Sequence, residues 1–358
     1  MKRSSIRFAR LKRRGCDAFR GRPLHFFSRR PAVSVVMAAY NHQPFVASAV
    51  STVLDQTFGD LELIVVDDGS SDGTPDVVAS INDSRIRLIR LPANRAVHPR
   101  NLALTHARGR YIAFQNSDDE WQPTKLALQV RAMEGTSTLS ACFTAGELID
   151  EAGQPATGTW ADGLFTTEER LQAGWLRHFF DIGNCLLLPS AVVRRAQLVA
   201  IGGFRASLVQ LGDFDLWIRL AALGQFRLLP EALTRMRVVA NANLSAPNPC
   251  TMRRSQLEHA VVLERYLEKP LLAMFDKIFG DVSKASSTGG RKIALAQRAL
   301  GRGSAGASFA DRAIAGVLED PLERADAVAE HGTGFIHEFL ARRGDPAFVQ
   351  QDSGHREC

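Results

Sequence analysis

Asn116, Ser117, Asp118 and Asp119 follow a short apolar and aromatic run over 111–115, and they offer the most pointed chemistry in the chain. Side-by-side carboxylates are hard oxygen donors of the kind that hold Mg²⁺ or Mn²⁺ carrying phosphates. A second acidic cluster, Asp67-Asp68-Gly69-Ser70, ends another apolar run over 61–66. A third acid, Asp213, stands where Phe214, Trp217, Ile218 and Ala221 begin a helical apolar face, so the helix dipole favours its ionised form. Each has a plainer reading as a cap or turn, because Ser and Asp satisfy the open N–H groups at helix starts. Chemistry therefore depends on whether the chain brings them together.

The spacing around them predicts how. Residues 33–37 read as a buried strand ending in Ala38-Ala39-Tyr40-Asn41, followed by a helix over 44–56. Then come a strand over 61–66, a short helix through 81, a strand over 86–91, a helix over 99–107 and the strand over 111–115. Strand and helix alternating on short connections imply a parallel sheet with helices on both faces. Ligands of such sheets bind beyond the carboxyl ends of the strands. Tyr40, Asn41, Asp67, Asp68, Asp118 and Asp119 would gather there from three strands, a coincidence that independent capping does not explain. No Gly-x-Gly-x-x-Gly or Gly-x-x-x-x-Gly-Lys loop occurs at these turns, which argues against a dinucleotide or P-loop site.

Further along, the pattern predicts a helix over 123–133, a strand over 139–145 and a polar, glycine-bearing insertion to about 167. A strand over 183–188 and a helix over 191–199 follow, then the turn Gly202-Gly203-Phe204 and closing strands over 226–229 and 236–239. Beyond 248 helical patterning recurs over 254–268, 271–279, 291–302, 308–318, 322–329 and 335–343. It carries no recognisable chemistry and reads as a lid, an oligomer contact or a helical appendage. The chain thus divides into a basic arm (1–31), an α/β domain (32–248) and a C-terminal helical region (249–358).

The composition is that of a globular protein, with 45% hydrophobic and 23% charged residues in a chain of 358. No apolar stretch is long enough to span a bilayer, and the chain does not open on an apolar signal core, so a cytoplasmic body is expected. Its five cysteines, Cys16, Cys142, Cys185, Cys250 and Cys358, are scattered and odd in number, which fits neither a disulfide framework nor a zinc site. Residues 1–30 hold eleven Lys or Arg against Asp17, net +10, so the rest carries −4 of the total +6. With Ile6, Phe8, Leu11, Phe19, Leu24, Phe26 and Phe27 interleaved, that arm suits an anionic membrane surface. Nucleic-acid binding would rest on the arm alone and is not expected; a solvated tail and a transit peptide are the other readings.

With these residues in view, the chain over about 33–239 resembles the family 2 glycosyltransferases of GT-A fold. The resemblance rests on the run 33–41, the run 61–70, Pro99-Arg100-Asn101, the stretch 109–121, Gly202-Gly203-Phe204, and Gly212-Asp213-Phe214-Asp215-Leu216-Trp217, in the family's order and spacing. It implies a Rossmann-like, mostly parallel central sheet flanked by helices. It implies further that Tyr40 and the backbone at Ala38 meet the nucleotide base, and that Asp68, with Asp67 beside it, holds base or ribose. Arg100 would lie by the donor's phosphates or sugar, while Asp118 and Asp119, with Asn116, would bind a divalent Mg²⁺ or Mn²⁺, Asp118 touching the nucleotide sugar as well. Asp213 would be the catalytic base. Two positions depart from the pattern: Asn116 replaces a common Asp, and Gly212 precedes the base where Glu is frequent.

The reading that follows is an inverting transferase moving a sugar from a nucleoside-diphosphate donor, with UDP-sugars the first candidates, to a hydroxyl of a surface glycan or lipid-linked acceptor. It would work at the inner face of the membrane. The alternative is a non-catalytic member that binds nucleotide or glycan and serves as an assembly partner. His42 and His98, in loops near the presumed cleft, are expected to be hydrogen-bonding residues rather than catalysts.

Overall fold

The structure, a computed structural model, describes residues 30–344 apart from 95–96, 166–167, 240–242, 244 and 282–283. Residues 1–29 of the basic arm, Cys16 among them, lie outside the described residues, as does Cys358.

Apolar runs become strands where both their faces are covered. The first half alternates β1 (Val33–Ala39), α1 (Val46–Leu54), β2 (Leu61–Asp67), α2 (Thr74–Ser80), β3 (Ile86–Arg90), α3 (Pro99–His106) and β4 (Tyr111–Asn116). Val33, Val35 and Met37 of β1 pack with α1 on one face, while Val36 joins Ile64, Phe114 and Ala103 on the other. Both faces are dry, which is why these strands read as continuous runs rather than alternating ones. β1 pairs in parallel with β2 and β4, and β2 with β3.

The second half supplies β5 (Glu120–Trp121), α4 (Lys125–Gly135), β6 (Leu139–Ile149), α5 (Gln172–Asp181), β7 (Val192–Arg194), α6 (Arg195–Ala200), α7 (Gly212–Leu223) and β8 (Gln225–Arg237). Together the described strands form an 8-stranded sheet in the order β3-β2-β1-β4-β7-β6-β8-β5. β7 runs antiparallel to β4 and β6, and β5 antiparallel to β8, while β6 and β8 are parallel. The sheet is mixed, with the parallel half as expected.

Three local expectations are corrected here. Residues 183–188 are not a strand: Cys185, Leu186 and Leu187 are buried in the core, but the chain runs irregularly into a 3₁₀ turn at Leu188–Ser190. The pairing segment falls at Val192–Arg194, inside the stretch predicted as helix, because the β-branched pair Val192-Val193 suits a pleated surface. The two closing strands are one, β8, which bulges against β6. Helix α5, which buries Trp175, Leu176, Phe179 and Phe180, was not anticipated at all.

After residue 248 come α8 (Pro249–Leu263), α9 (Lys269–Leu272), α10 (Phe275–Phe279), α11 (Thr288–Ala299), α12 (Gly303–Glu319), α13 (Pro321–His331) and α14 (Gly334–Gly344). Tyr266, Phe279, Phe309 and Val317 from this region belong to the same buried cluster as Phe179, Phe214 and Phe226. The helices are thus continuous with the core beneath the sheet. Among the described residues no helix is long and apolar enough to cross a membrane.

Candidate active site

The register of the parallel strands sets the first part of the site. Ala38 lies between Val66 and Asn116, and Ala39 opposite Asp67, so the carboxyl ends of β1, β2 and β4 finish side by side. The Asp68 N–H donates to the Ala39 carbonyl at 2.8 Å, holding the second acidic turn against the first strand end. Asn41 takes a left-handed φ of 51°, which Asn tolerates, and its Oδ1 accepts the Ser71 N–H at 2.8 Å. Ser70 in turn gives its hydroxyl proton to Asp67 Oδ1 at 2.5 Å. Asp67 is thereby spent inside the turn, as the capping reading had it, and Asp68 stands beside it. Tyr40, 44% exposed, immediately follows β1.

Beyond β4 the chain turns sharply, and the two adjacent acids end in different places. Asp119 is buried, with Oδ1 accepting the Arg237 N–H and Oδ2 the Asn116 side-chain amide, each at 2.8 Å. Burial pushes its carboxyl well above the usual range, and the neighbouring Asp118 charge adds to that. Asp118 has 14% of its side chain exposed and lies 3.9 Å from His42 Nδ1. Desolvation raises its carboxyl too, opposed by His42, Arg237 and Arg100. His42 also bonds Ser117 at 2.8 Å, the hydrogen-bonding role expected of it. Arg237 ties the turn down from β8: its guanidinium donates to the Asp118 carbonyl at 2.9 Å and pairs with Glu120 at 2.6 Å.

Arg100 comes from the first turn of α3. Its Nη2 donates to Asn116 Oδ1 at 2.8 Å, while its Nε is buried without a hydrogen-bond partner among the described residues. Burial lowers its pKa, and the charges of Asp213, Asp118 and Asp119 oppose that shift. The turn Gly202-Gly203-Phe204 explains its own residues here. Asn101 clasps Phe204 by accepting its N–H at 2.8 Å and donating to its carbonyl at 2.7 Å. Gly203 has φ of 69°, and a Cβ there would sit 2.6 Å from Asn101 Oδ1. The Phe204 ring then lies under Arg100 and stacks on His98, with centroids 5.2 Å apart in the latter pair.

Asp213 occupies the first turn of α7. Its Oδ1 accepts the Phe214 N–H at 2.7 Å and its Oδ2 the Asn184 amide at 3.2 Å. Burial raises its carboxyl to about 6, against the opposing pull of those two donors and Arg100. A buried carboxylate whose pKa is raised to about 6, with the exposed Asn184 bonded to it, is suited to accept a proton.

The donor set bears on the metal. Among the described residues no group of three His, Cys, Asp or Glu side chains could hold an ion by itself. Asn116 and Asp119 are bonded to Arg100, to Arg237 and to each other, which leaves Asp118, its side chain 14% exposed, as the carboxylate of this turn with oxygens to offer. That fits an ion of the Mg²⁺ type, which takes one or two carboxylates and completes its shell with substrate phosphates and water.

With this arrangement in view the comparisons are direct. Residues 34–194 match the model of Glycosyl transferase family 2. That match covers somewhat less than half of the chain. One relative is the UDP-Glc:alpha-D-GlcNAc-diphosphoundecaprenol beta-1,3-glucosyltransferase WfaP of Escherichia coli, 44% identical over 103 residues, covering 28% of this chain and 41% of that protein. S. aureus TarS 1-349 in complex with UDP-GlcNAc superposes with a TM-score of 0.52 at 18% identity, over 84% of this chain and 89% of that one. Mannosyltransferase PcManGT from Pyrobaculum calidifontis, in complex with GDP-Man and Mn²⁺, gives 0.50 at 19%, over 88% and 87%. These two establish the shared fold. The chain spans from about a quarter to about a half of the length of its leading curated relatives, 24% to 51%.

Sequence reasoning missed Asn184, Arg237 and the clasp between Asn101 and Phe204. Asn184 sits in a stretch read as strand, and Arg237 reaches the acidic turn across 118 residues of chain. The Gly202-Gly203-Phe204 turn was the available signal for the clasp.

Proposed function

We propose that this chain is a metal-assisted, inverting glycosyltransferase that moves a sugar from a nucleoside-diphosphate donor, a UDP-sugar first among them, to a hydroxyl of a surface glycan or lipid-linked acceptor. The observation that carries the reading is Arg100 bonded to Asn116 at the head of the acidic turn, its guanidinium acted on by the charges of Asp213, Asp118 and Asp119, with Nε lacking a partner among the described residues. A buried guanidinium with an open donor suits a diphosphate oxygen. Tyr40 and the backbone at Ala38 would face the base, and Asp68 the base or ribose, with Asp67 shaping the turn. Asp118 would hold the cation, with Asn116 and Asp119 fixing the turn that presents it. A divalent cation bound there supplies charge neutralisation for the leaving diphosphate.

In the transfer, the acceptor hydroxyl gives its proton to the Asp213 carboxylate as its oxygen bonds to the anomeric carbon. The bond from that carbon to the phosphate oxygen breaks on the opposite side, and the diphosphate leaves with the electron pair beside Arg100. Support for UDP-sugars and lipid-linked acceptors comes from the activity named for the WfaP relative, and support for Mn²⁺ from the PcManGT complex. The arm at 1–30 would bring the enzyme to an anionic membrane, and the C-terminal helices are where an oligomer would form. Donor turnover with Mn²⁺ tests the proposal: Asp213→Asn is expected to keep UDP binding and lose transfer by about 10² or more. UDP uptake without turnover of any nucleotide sugar by the native chain would favour the non-catalytic alternative.

A further inference from the structure

Helix α7 begins without a side-chain cap of its own. The N–H groups that lead into it are taken up from a distance. Glu258, on α8, accepts the Val209 N–H through Oε1 at 2.9 Å and the Gln210 and Leu211 N–H groups through Oε2 at 2.8 Å each. The carboxylate is 8% exposed and spans 47 to 49 residues of chain to make these bonds. Three main-chain donors converging on one buried carboxylate make a charge-assisted clamp, and they hold the backbone up to two residues before Asp213. The next residue, His259, packs edge-on against Phe214 with centroids 5.4 Å apart, so α8 grips the chain on both sides of Asp213.

We propose that Glu258 is a positioning residue for the transfer: its clamp on residues 209–211 holds the α7 start so that Asp213 stays aimed at the acceptor hydroxyl. The inference rests on the role of Asp213 proposed above and assigns α8, which showed no chemistry in the sequence, to the catalytic apparatus. Loss of aim matters because a displacement of about 1 Å at a reacting group can cost on the order of 10² in rate.

E258Q tests it in the full chain. Glutamine keeps the volume but offers one acceptor oxygen and turns an NH₂ toward main-chain donors, so part of the clamp is lost without opening a cavity. The measurements are UDP release from a panel of UDP-sugars with Mn²⁺, UDP binding by calorimetry, and amide exchange at 209–211. The expected result is exchange faster by about tenfold or more at those amides, with kcat lower by about 10- to 100-fold and donor KM and UDP affinity within about twofold. E258D, which restores the charge, is expected to recover part of kcat. Unchanged exchange, or faster exchange with unchanged kcat, overturns the positioning role, and so does a parallel fall in kcat, UDP affinity and melting temperature, which marks a merely structural residue. A native chain inactive on every donor defeats the reading of the site itself, whereas an active native chain with an unaffected E258Q defeats only this inference.

Discussion

Asn184 donates its side-chain amide to Asp213 at 3.2 Å, from the loop that leaves α5 and enters the core. The bond favours the ionised carboxylate, opposing the burial that raises Asp213 to about 6. A general base works when deprotonated, so turnover is present above its pKa and is lost as pH falls through it. Asn184→Ala removes a stabilising donor and moves the Asp213 pKa upward. The acid limb of kcat against pH is therefore expected to shift to higher pH, with a larger loss at pH about 6 than at about 8. A limb that stays in place, or moves down, disconnects this pair from the chemistry.

Asp118 and Asp119 are neighbours in sequence and opposites in environment. Asp118 lies by His42 with 14% of its side chain exposed, and Asp119 has both oxygens engaged inside the turn. Asp118→Asn is expected to leave the melting temperature nearly unchanged and to weaken the Mn²⁺ dependence of donor binding. Asp119→Asn places an NH₂ group where a donor already points, and should lower stability by about 1–3 kcal/mol. Calorimetric titration of UDP with and without Mn²⁺, alongside thermal unfolding, separates the two; equal effects of both substitutions on metal dependence would count against this division.

How much of this was written in the sequence follows from how local each feature is. β1, β2 and β4 are parallel strands buried on both faces, so the runs at 33–37, 61–66 and 111–115 announced themselves, and their ends brought Ala38, Asp67, Asp68 and Asn116 with them. Asp213 was legible because a helical apolar face starts beside it. β7 was not, since its pairing with β4 and β6 depends on partners about 80 and 50 residues away, and Val192-Val193 sits between residues of helical spacing. Asn184, Arg237 and Glu258 were invisible for the same reason: each acts through hydrogen bonds to a segment remote in sequence, and no period in the chain encodes them.

Gly203 is a position where backbone and packing agree on one residue. Its φ of 69° is costly for any residue with a Cβ, and that atom would meet Asn101 Oδ1 at 2.6 Å. Gly203→Ala is expected to lower stability by about 1–3 kcal/mol. Because Asn101 follows Arg100 and Phe204 lies under it, UDP affinity should fall as well. Denaturant unfolding and UDP calorimetry check both; a variant as stable as the native chain would show that the Asn101–Phe204 clasp is dispensable.

The second acid of α7 links the site to the C-terminal helices in another way. Asp215 is fully buried and pairs with Arg219 and with Arg265, each at 2.6 Å, while Arg265 also reaches Glu268 at 2.7 Å. Arg219 in addition donates to the carbonyls of Ile201 and Gly203, at 2.7 and 2.8 Å, so this network joins α7 to the turn beneath Arg100. Arg265→Ala leaves Asp215 one guanidinium and is expected to cost about 1–3 kcal/mol. Asp215→Asn weakens two part-buried guanidinium pairs at once and should cost more, about 3–5 kcal/mol. Neither side chain touches the cleft residues directly, so donor KM measured on the folded fraction should hold in both. Urea unfolding of the two variants gives the order, and an Arg265→Ala loss equal to or larger than that of Asp215→Asn would mean that Arg219, not Arg265, is the lesser partner in holding this acid.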